Sequence, residues 1–443
     1  MAEHRPPPDN FIGVLRELGP GLIISANIVG SGELIVTTKL GADVGFTLLW
    51  FIILGCMIKV LLQIELGRHT ILNNRTTLDT LNSVPGPRLK VSWLVWCWMI
   101  MFVATFVQLS GIVGGIAGVF VTVGSNLSDS ILAFLITGSC VVLLIVGRYT
   151  LIEKFSTAMV ASFTIFTIFA VFSLYWTDFG ITAEQLADGF RFSMPDNFIV
   201  AFAAFGVIGV GASELIYYPY WCLEKGYAKF TGPREETDEW KARAQGWLRV
   251  LRWDAWASMV IYTGATVAFY LLGAAVLHSQ NLSVDNTDLI PTLSAMYSES
   301  FGAFGLWMFF IGAFAVLYST VFISTAGNTR LSVDVLRLFD LIHVDDERRR
   351  RFWIRVASVV LPALYFFFYV TVGSPVTLVL VGAIAQAIML PLLCFGALYH
   401  LHCDTDPELS PSRGWVFFLW ISAALMTATG AYQLLSVIGM AAS

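Results

Sequence analysis

Residues 28–35 read Ile-Val-Gly-Ser-Gly-Glu-Leu-Ile, and residues 210–216 read Val-Gly-Ala-Ser-Glu-Leu-Ile. In both, three small residues precede a glutamate that is followed by Leu-Ile. Both stretches lie inside long apolar runs. Glycine weakens a helix interior, so each run is expected to break near its middle. The two glutamates, Glu33 and Glu214, are also the only acids read as lying well inside an apolar run. An ionisable group at membrane depth is costly and marks function by default.

The surrounding composition supports that depth. Of 443 residues, 57% are hydrophobic and 13% are charged, against about 25% charged in an average soluble domain. Mean hydropathy is +0.74. Such a chain cannot build the polar surface of a cytosolic enzyme, a nucleic-acid binder or a disordered protein. Six scattered cysteines without a CxxC read as buried small hydrophobes. Residues 1–10 are polar and proline-rich, so the first apolar run is expected to target the chain by itself.

A hydrocarbon core about 30 Å thick needs about 20 apolar helical residues. Windows of that length give eleven spans, at 19–40, 45–66, 93–117, 128–147, 156–176, 197–221, 254–277, 303–326, 353–372, 375–399 and 415–437. The third ends in a glycine-rich stretch (Gly111, Gly114, Gly115, Gly118) that reads as a close packing face. With Arg355, at the start of span 9, counted with the connection before it, 23 of the 26 Lys and Arg fall before span 1 or between spans 2/3, 4/5, 6/7, 8/9 and 10/11. Basic residues collect on the cytoplasmic side. The N-terminus is therefore expected inside and the C-terminus outside. Residues 235–252, with Trp240, Trp247 and Leu251, read either as an amphipathic helix on the inner surface or as a linker.

Glu33 lies in span 1 and Glu214 in span 6, each the first of five spans. Five spans per unit forces the second unit to start on the opposite side of the membrane. This is the pattern of an inverted repeat whose broken helices hold the substrate near the midplane. The helix N-terminus after each break would favour the carboxylate, and freed carbonyls could ligate a cation. Two nearby carboxylates would also couple their titrations, so Glu33 and Glu214 are candidates for proton coupling as well. The structural alternative makes a glutamate the ion-pair partner of Lys59, which also lies inside a span.

Further motifs point to a family. Gly19-Pro20-Gly21, Gly41-Ala42 and Gly45-Phe46-Thr47-Leu48-Leu49-Trp50 resemble the opening of the Nramp family of proton-coupled divalent-metal transporters. The spacing between these anchors fits without a gap. The family's Asp-Pro-Gly-Asn metal motif then falls on Gly30-Ser31-Gly32-Glu33, and its Met-Pro-His near Ser213-Glu214-Leu215. Gln386 with Leu390-Pro391 is similar to the family's glutamine region, and Gly327-Asn328 to its Gly-Gln. The resemblance implies an all-α integral membrane protein with eleven transmembrane helices, a LeuT-like 5+5 inverted repeat with helices 1 and 6 broken. It divides the chain into a cytoplasmic tail (1–18), a first repeat (19–177), a second repeat (197–399) and an additional helix (415–437). A soft thioether ligand is missing, and oxygen ligands suit a hard cation such as Mg²⁺ or Mn²⁺.

The resulting expectation is a secondary active transporter of divalent cations in the cell membrane, working by alternating access. Glu33 and Glu214 supply the charge. The carbonyls near Gly30 and Gly211 and the side chains of Asn27, Ser31, Ser213 and Gln386 complete the site. The metal is cargo rather than cofactor, protons are a candidate coupling ion, and no nucleic acid is involved. The alternative is a symporter of amino acids or other organic solutes on the same fold. An enzyme is not expected, since no HExxH is present and no histidine was read at membrane depth. The sequence leaves the oligomeric state open.

Overall fold

In lipid, an apolar run satisfies its backbone by becoming a helix. The computed structural model describes residues 4–146, 149–193, 198–284, 289–344, 346–405 and 407–442. Apart from one two-stranded hairpin (Arg88–Leu89 with Val91–Ser92) the described secondary structure is helical.

The chain enters through a short helix α1 (Phe11–Glu17), capped by the Asn10 side chain on the Gly13 N–H. Span 1 consists of α2 (Pro20–Ile28), a π-helical stretch (Val29–Thr37) and α3 (Thr38–Val44). Then come α4 (Leu49–Asn73), a short α5 (Thr77–Ser83), α6 (Trp93–Thr122), α7 (Asp129–Val146) and α8 (Tyr149–Ser173). A surface helix α9 (Ala183–Asp188) precedes span 6, which is α10 (Phe198–Val207) and α11 (Ala212–Lys225). After α12 (Tyr227–Thr231) follow α13 (Asp238–Leu272), α14 (Leu289–Leu338), α15 (Glu347–Val372), α16 (Pro375–Cys403) and α17 (Arg413–Ala442).

Nine helical segments among the described residues are long and apolar enough to cross a membrane. Two shorter apolar ones, Asp129–Ile145 and Thr164–Trp176, stand where the fourth and fifth spans were expected. The expected turn between spans 9 and 10 is present, with Gly373 in the left-handed region closing α15 and Pro375 opening α16. The glycine face of α6 packs closely as expected. A Cβ on Gly111 would lie 2.5 Å from the Pro375 carbonyl oxygen.

Residues 235–252 form neither a linker nor a separate surface helix. From Asp238 they are the first turns of α13 and run unbroken into span 7. Trp240 and Trp247 are buried there, because α13 lies under the N-terminal segment. The Trp247 indole N–H donates to the Arg5 carbonyl (3.0 Å), and Arg249 donates to the Pro8 carbonyl (2.7 Å).

The basic connections meet at one end of the bundle. Arg5 pairs with Glu17, Arg330 with Glu224, Arg337 with Asp79, and Lys241 with Glu408. Lys90 reaches the Phe339 carbonyl. These contacts join the N-terminal segment to the connections between spans 2/3, 6/7, 8/9 and 10/11. That alternation places the two ends of each intervening pair of spans on the same side.

Candidate cation site at the two interrupted spans

The two matching motifs take different local forms. Around Gly30-Ser31-Gly32-Glu33 the chain stays helical but widens to π geometry over Val29–Thr37. The Thr38 N–H accordingly reaches back five residues to the Glu33 carbonyl. π-turns of this kind recur at functional sites. Span 6 is interrupted outright. α10 ends at Val207, residues 208–211 are non-helical, and Gly211 caps α11. Gly209 sits at φ +61, a left-handed conformation for which glycine is suited. Part of the break thus depends on this single residue.

The crossing geometry explains why span 1 widens. At Gly30 an added Cβ would fall 1.6 Å from the Thr320 Oγ1, so α14 lies directly on the glycine. Thr320 Oγ1 in turn donates to the Asn27 carbonyl (3.0 Å). A group freed by the distorted helix is thereby satisfied by a neighbour, as burial demands.

Glu214 stands in the first turn of α11, where the helix dipole favours a carboxylate. Its Oε1 accepts from the Asn27 Nδ2 (2.6 Å), and Asn27 Oδ1 accepts from the Ser324 hydroxyl (2.6 Å). At the preceding residue, the Ser213 N–H donates to Gln386 Oε1 (3.0 Å), and Gln386 Nε2 donates to Gln108 Oε1 (2.8 Å). Ser213 Oγ is buried beside the Tyr217 side chain. These groups surround a cavity of about 10 Å³ lined by Thr105, Gln108, Ser213, Glu214, Ser324 and Gln386, with Leu109 and Tyr217. That is room for about one water-sized occupant. Every polar lining atom is a carboxylate, amide, hydroxyl or backbone group.

Glu33 is placed otherwise. It is fully buried (0% exposed), with Oε2 accepting from the Thr37 hydroxyl (2.7 Å) and Oε1 from the Gly209 N–H (3.0 Å). Lys59, on α4 and also 0% exposed, donates to the carbonyls of Phe205 and Ile208. An acid from span 1 and a base from span 2 therefore satisfy the N–H and C=O groups that the break in span 6 sets free.

Of the expected site residues, the fold gathers Glu214, Asn27, Ser213, Gln386 and the Gly211 cap around one cavity. Glu33 lies against the break itself. Gly30 lies on the α14 side, and the side chain of Ser31 lies outside the described residues. Gln108 and Ser324 were missed. They are ordinary polar residues on spans 3 and 8, and nothing in their neighbourhood singles them out.

Asp254 was also missed as an interior acid, although it is 2% exposed. Its two oxygens accept from the N–H groups of Gly19 (2.8 Å) and Gly21 (2.6 Å), and from the Tyr218 hydroxyl (3.0 Å). It caps the start of α2. The signal was present in Gly19-Pro20-Gly21, a helix start with no capping side chain of its own.

Known proteins resemble the chain along almost its whole length. Crystal structures of the Eremococcus coleocola manganese transporter superpose with a TM-score of 0.68 at 14% identity, covering 98% of this chain and 90% of that one. A transporter of the nucleobase-cation-symport-1 family gives 0.54 at 12% identity, covering 95% and 91%. A protein crystallised with L-phenylalanine, MhsT, gives 0.56 at 13% identity, covering 98% and 99%. These likenesses establish the fold. An uncharacterized protein of Pasteurella multocida is 23% identical over 369 residues, 80% of this chain and 77% of its own length. The pattern described as Natural resistance-associated macrophage protein-like matches residues 21–436. The chain belongs to the Nramp family of divalent-metal transporters and is a multi-pass membrane transporter rather than an enzyme.

Proposed function

We propose that this protein carries a hard divalent cation, Mg²⁺ or Mn²⁺, through the cavity beside Glu214 by alternating access. The observation that carries this reading is the lining of that cavity. It offers one carboxylate (Glu214), hydroxyls (Thr105, Ser213, Ser324) and amides (Gln108, Gln386), with Asn27 bonded to the carboxylate. Oxygen ligands in that number suit Mg²⁺, Mn²⁺ or Ca²⁺, whereas thiolate, thioether or imidazole would select softer metals. The buried Ser213 hydroxyl lines the cavity and adds an oxygen ligand. An organic-solute symporter on the same fold is not favoured, because a cavity of about 10 Å³ takes an ion or a water rather than an amino acid.

Alternating access rests on the reciprocal contacts of the two interrupted spans. Glu33 holds Gly209, and Asn27 holds Glu214. Movement of one unit against the other would have to break both contacts, exposing the cavity to one side at a time. Glu33, buried and hydrogen-bonded to Thr37 and the Gly209 N–H, is the coupling-proton candidate. The basic end of the bundle faces the cytoplasm of the cell membrane, with the C-terminus outside, by the positive-inside rule.

The test is uptake of Mn²⁺ and Mg²⁺ by proteoliposomes holding wild type, Glu214→Gln or Glu33→Gln. A pH-sensitive dye inside the vesicles reports any accompanying proton. Loss of saturable uptake in Glu214→Gln is the expected result. Wild-type uptake in both variants would remove the site assignment. Uptake without acidification would remove the proton.

A further inference from the structure

A second cluster of ligating side chains lies away from the transport cavity, at the basic end of the bundle. One ligand atom from each of His69, His400 and Asp404 lies within 4.8 Å of the others. His69 is near the end of α4 and His400 near the end of α16, so the cluster joins the first repeat to the second. Both rings are buried, and their centroids are 4.6 Å apart. Asp404 follows α16 and is exposed.

The hydrogen bonds around the rings fix which nitrogen of each carries the proton. The Ser83 hydroxyl donates to the Thr80 carbonyl (2.8 Å). His400 Nε2 lies 2.9 Å from that carbonyl and 3.3 Å from the Ser83 oxygen. A carbonyl only accepts, so Nε2 is the protonated nitrogen and Nδ1 keeps its lone pair in the neutral ring. The Thr80 hydroxyl donates to the Thr76 carbonyl (3.1 Å), so it accepts from His69 Nδ1 (3.2 Å). His69 Nε2 is then the bare nitrogen. Each imidazole thus has one nitrogen anchored to the α5 segment and the other free to ligate, the orienting arrangement that metal-binding histidines require.

His400 Nδ1 lies 2.5 Å from Asp404 Oδ2, a distance that holds a shared proton between them. A divalent ion bound here would replace that proton and add the bare Nε2 of His69 as a third ligand.

We propose that His69, His400 and Asp404 form a binding site for a divalent transition cation of the Zn²⁺ type, separate from the transport cavity. Two imidazoles, one carboxylate and a water make up a four-coordinate N₂O₂ site with Zn–N and Zn–O near 2.0–2.2 Å. Tetrahedral ligands at those lengths lie roughly 3.4 Å apart. Binding therefore draws His69 inward and widens the His400–Asp404 contact, a change that the exposed Asp404 can absorb. A small pocket beside the cluster is lined by His69, Asn73, Asp404 and Thr405 together with the side chains of Arg68 and Arg234. The nearby Arg68 guanidinium is offset by its ion pair with Glu65. A bound ion would tie the ends of α4 and α16 together and so oppose relative movement of the two repeats.

The experiment is Zn²⁺ titration of the purified full chain against a chromophoric chelator, with Co²⁺ absorption reporting the ligand set. It is run on wild type, Glu214→Gln, His69→Gln and Asp404→Asn. Asp404→Asn changes an exposed residue, so its metal-free melting temperature should match wild type and thereby exclude misfolding. The proposal expects one Zn²⁺ equivalent that survives Glu214→Gln and weakens about tenfold or more in both His69→Gln and Asp404→Asn. Tetrahedral Co²⁺ bands should appear in wild type and fade in the same two variants. Zn²⁺ binding that disappears in Glu214→Gln, or that is unchanged in His69→Gln and Asp404→Asn, would overturn it. So would wild type that takes up no Zn²⁺.

Discussion

The segments around Glu33 and Glu214 share a sequence pattern and part company in three dimensions. Both read small-small-small-Glu-Leu-Ile. The first stays helical in π form and buries its glutamate against the backbone of span 6. The second opens into four non-helical residues and turns its glutamate to a polar cavity. The difference comes from what crosses each segment. Thr320 presses on Gly30 and satisfies the Asn27 carbonyl, so span 1 needs no coil. Span 6 has Gly209 in the left-handed region, with Glu33 and Lys59 ready to take its loose N–H and C=O groups. A repeated motif therefore produced two placements: one carboxylate takes the Gly209 N–H at the break, and the other faces the polar cavity.

The largest effect that would break this contrast is expected at Lys59. Lys59→Met removes the donor to two buried carbonyls, Phe205 and Ile208, at the break. Each buried acceptor left unsatisfied costs about 1–3 kcal/mol. The variant should melt well below wild type in detergent. A melting temperature within a degree of wild type would mean that the break does not depend on Lys59.

Glu214→Gln comes next, with a different signature. Cation affinity should fall about 100-fold, equivalent to roughly 2.7 kcal/mol, while the melting temperature holds. Mn²⁺ binding by calorimetry checks it. Loss of stability without loss of binding would exchange the roles assigned to the two glutamates.

Asn27→Ala sharpens the contrast from the other side. It removes a hydrogen bond to a charged group, worth about 1.5–3 kcal/mol, and releases Glu214 from span 1. Uptake should slow more than stability falls, and proteoliposome flux compared with thermal melting separates the two.

The smallest effect is expected at Gly209→Ala. Its left-handed backbone costs an alanine about 1–2 kcal/mol, and the new Cβ would meet Cys56 Sγ at 2.9 Å. Reduced thermal stability that Gly211→Ala does not reproduce through the backbone would show that φ at 209, and not crowding alone, shapes the break.

Much of this architecture was legible in one dimension. Apolar runs locate spans because lipid leaves helices as their solution, and Lys and Arg mark sides because moving them across is costly. The tie between the two interrupted spans was half legible. Two carboxylates at repeat-related positions stood out because so few charges lie at that depth. Their partners did not, since Gln108, Ser324 and Thr320 are ordinary polar residues until α6 and α14 bring them to the cavity. Asp254 was hidden for a similar reason. It stands at the edge of an expected span, and only the packing of α13 against α2 places it on the Gly19 and Gly21 N–H groups.

By itself, the sequence determined that the chain is a multi-pass helical membrane protein, roughly where its helices run, and two of the acids that lie deep. Those properties follow from hydropathy and local conformational cost, which each segment carries alone. Tertiary structure decided that one glutamate braces the break while the other faces a cavity. It also decided that Lys59 serves carbonyls rather than a carboxylate, and that two histidines from different repeats stand side by side. Such outcomes depend on which donor meets which acceptor across helices, and no local stretch of sequence contains that information.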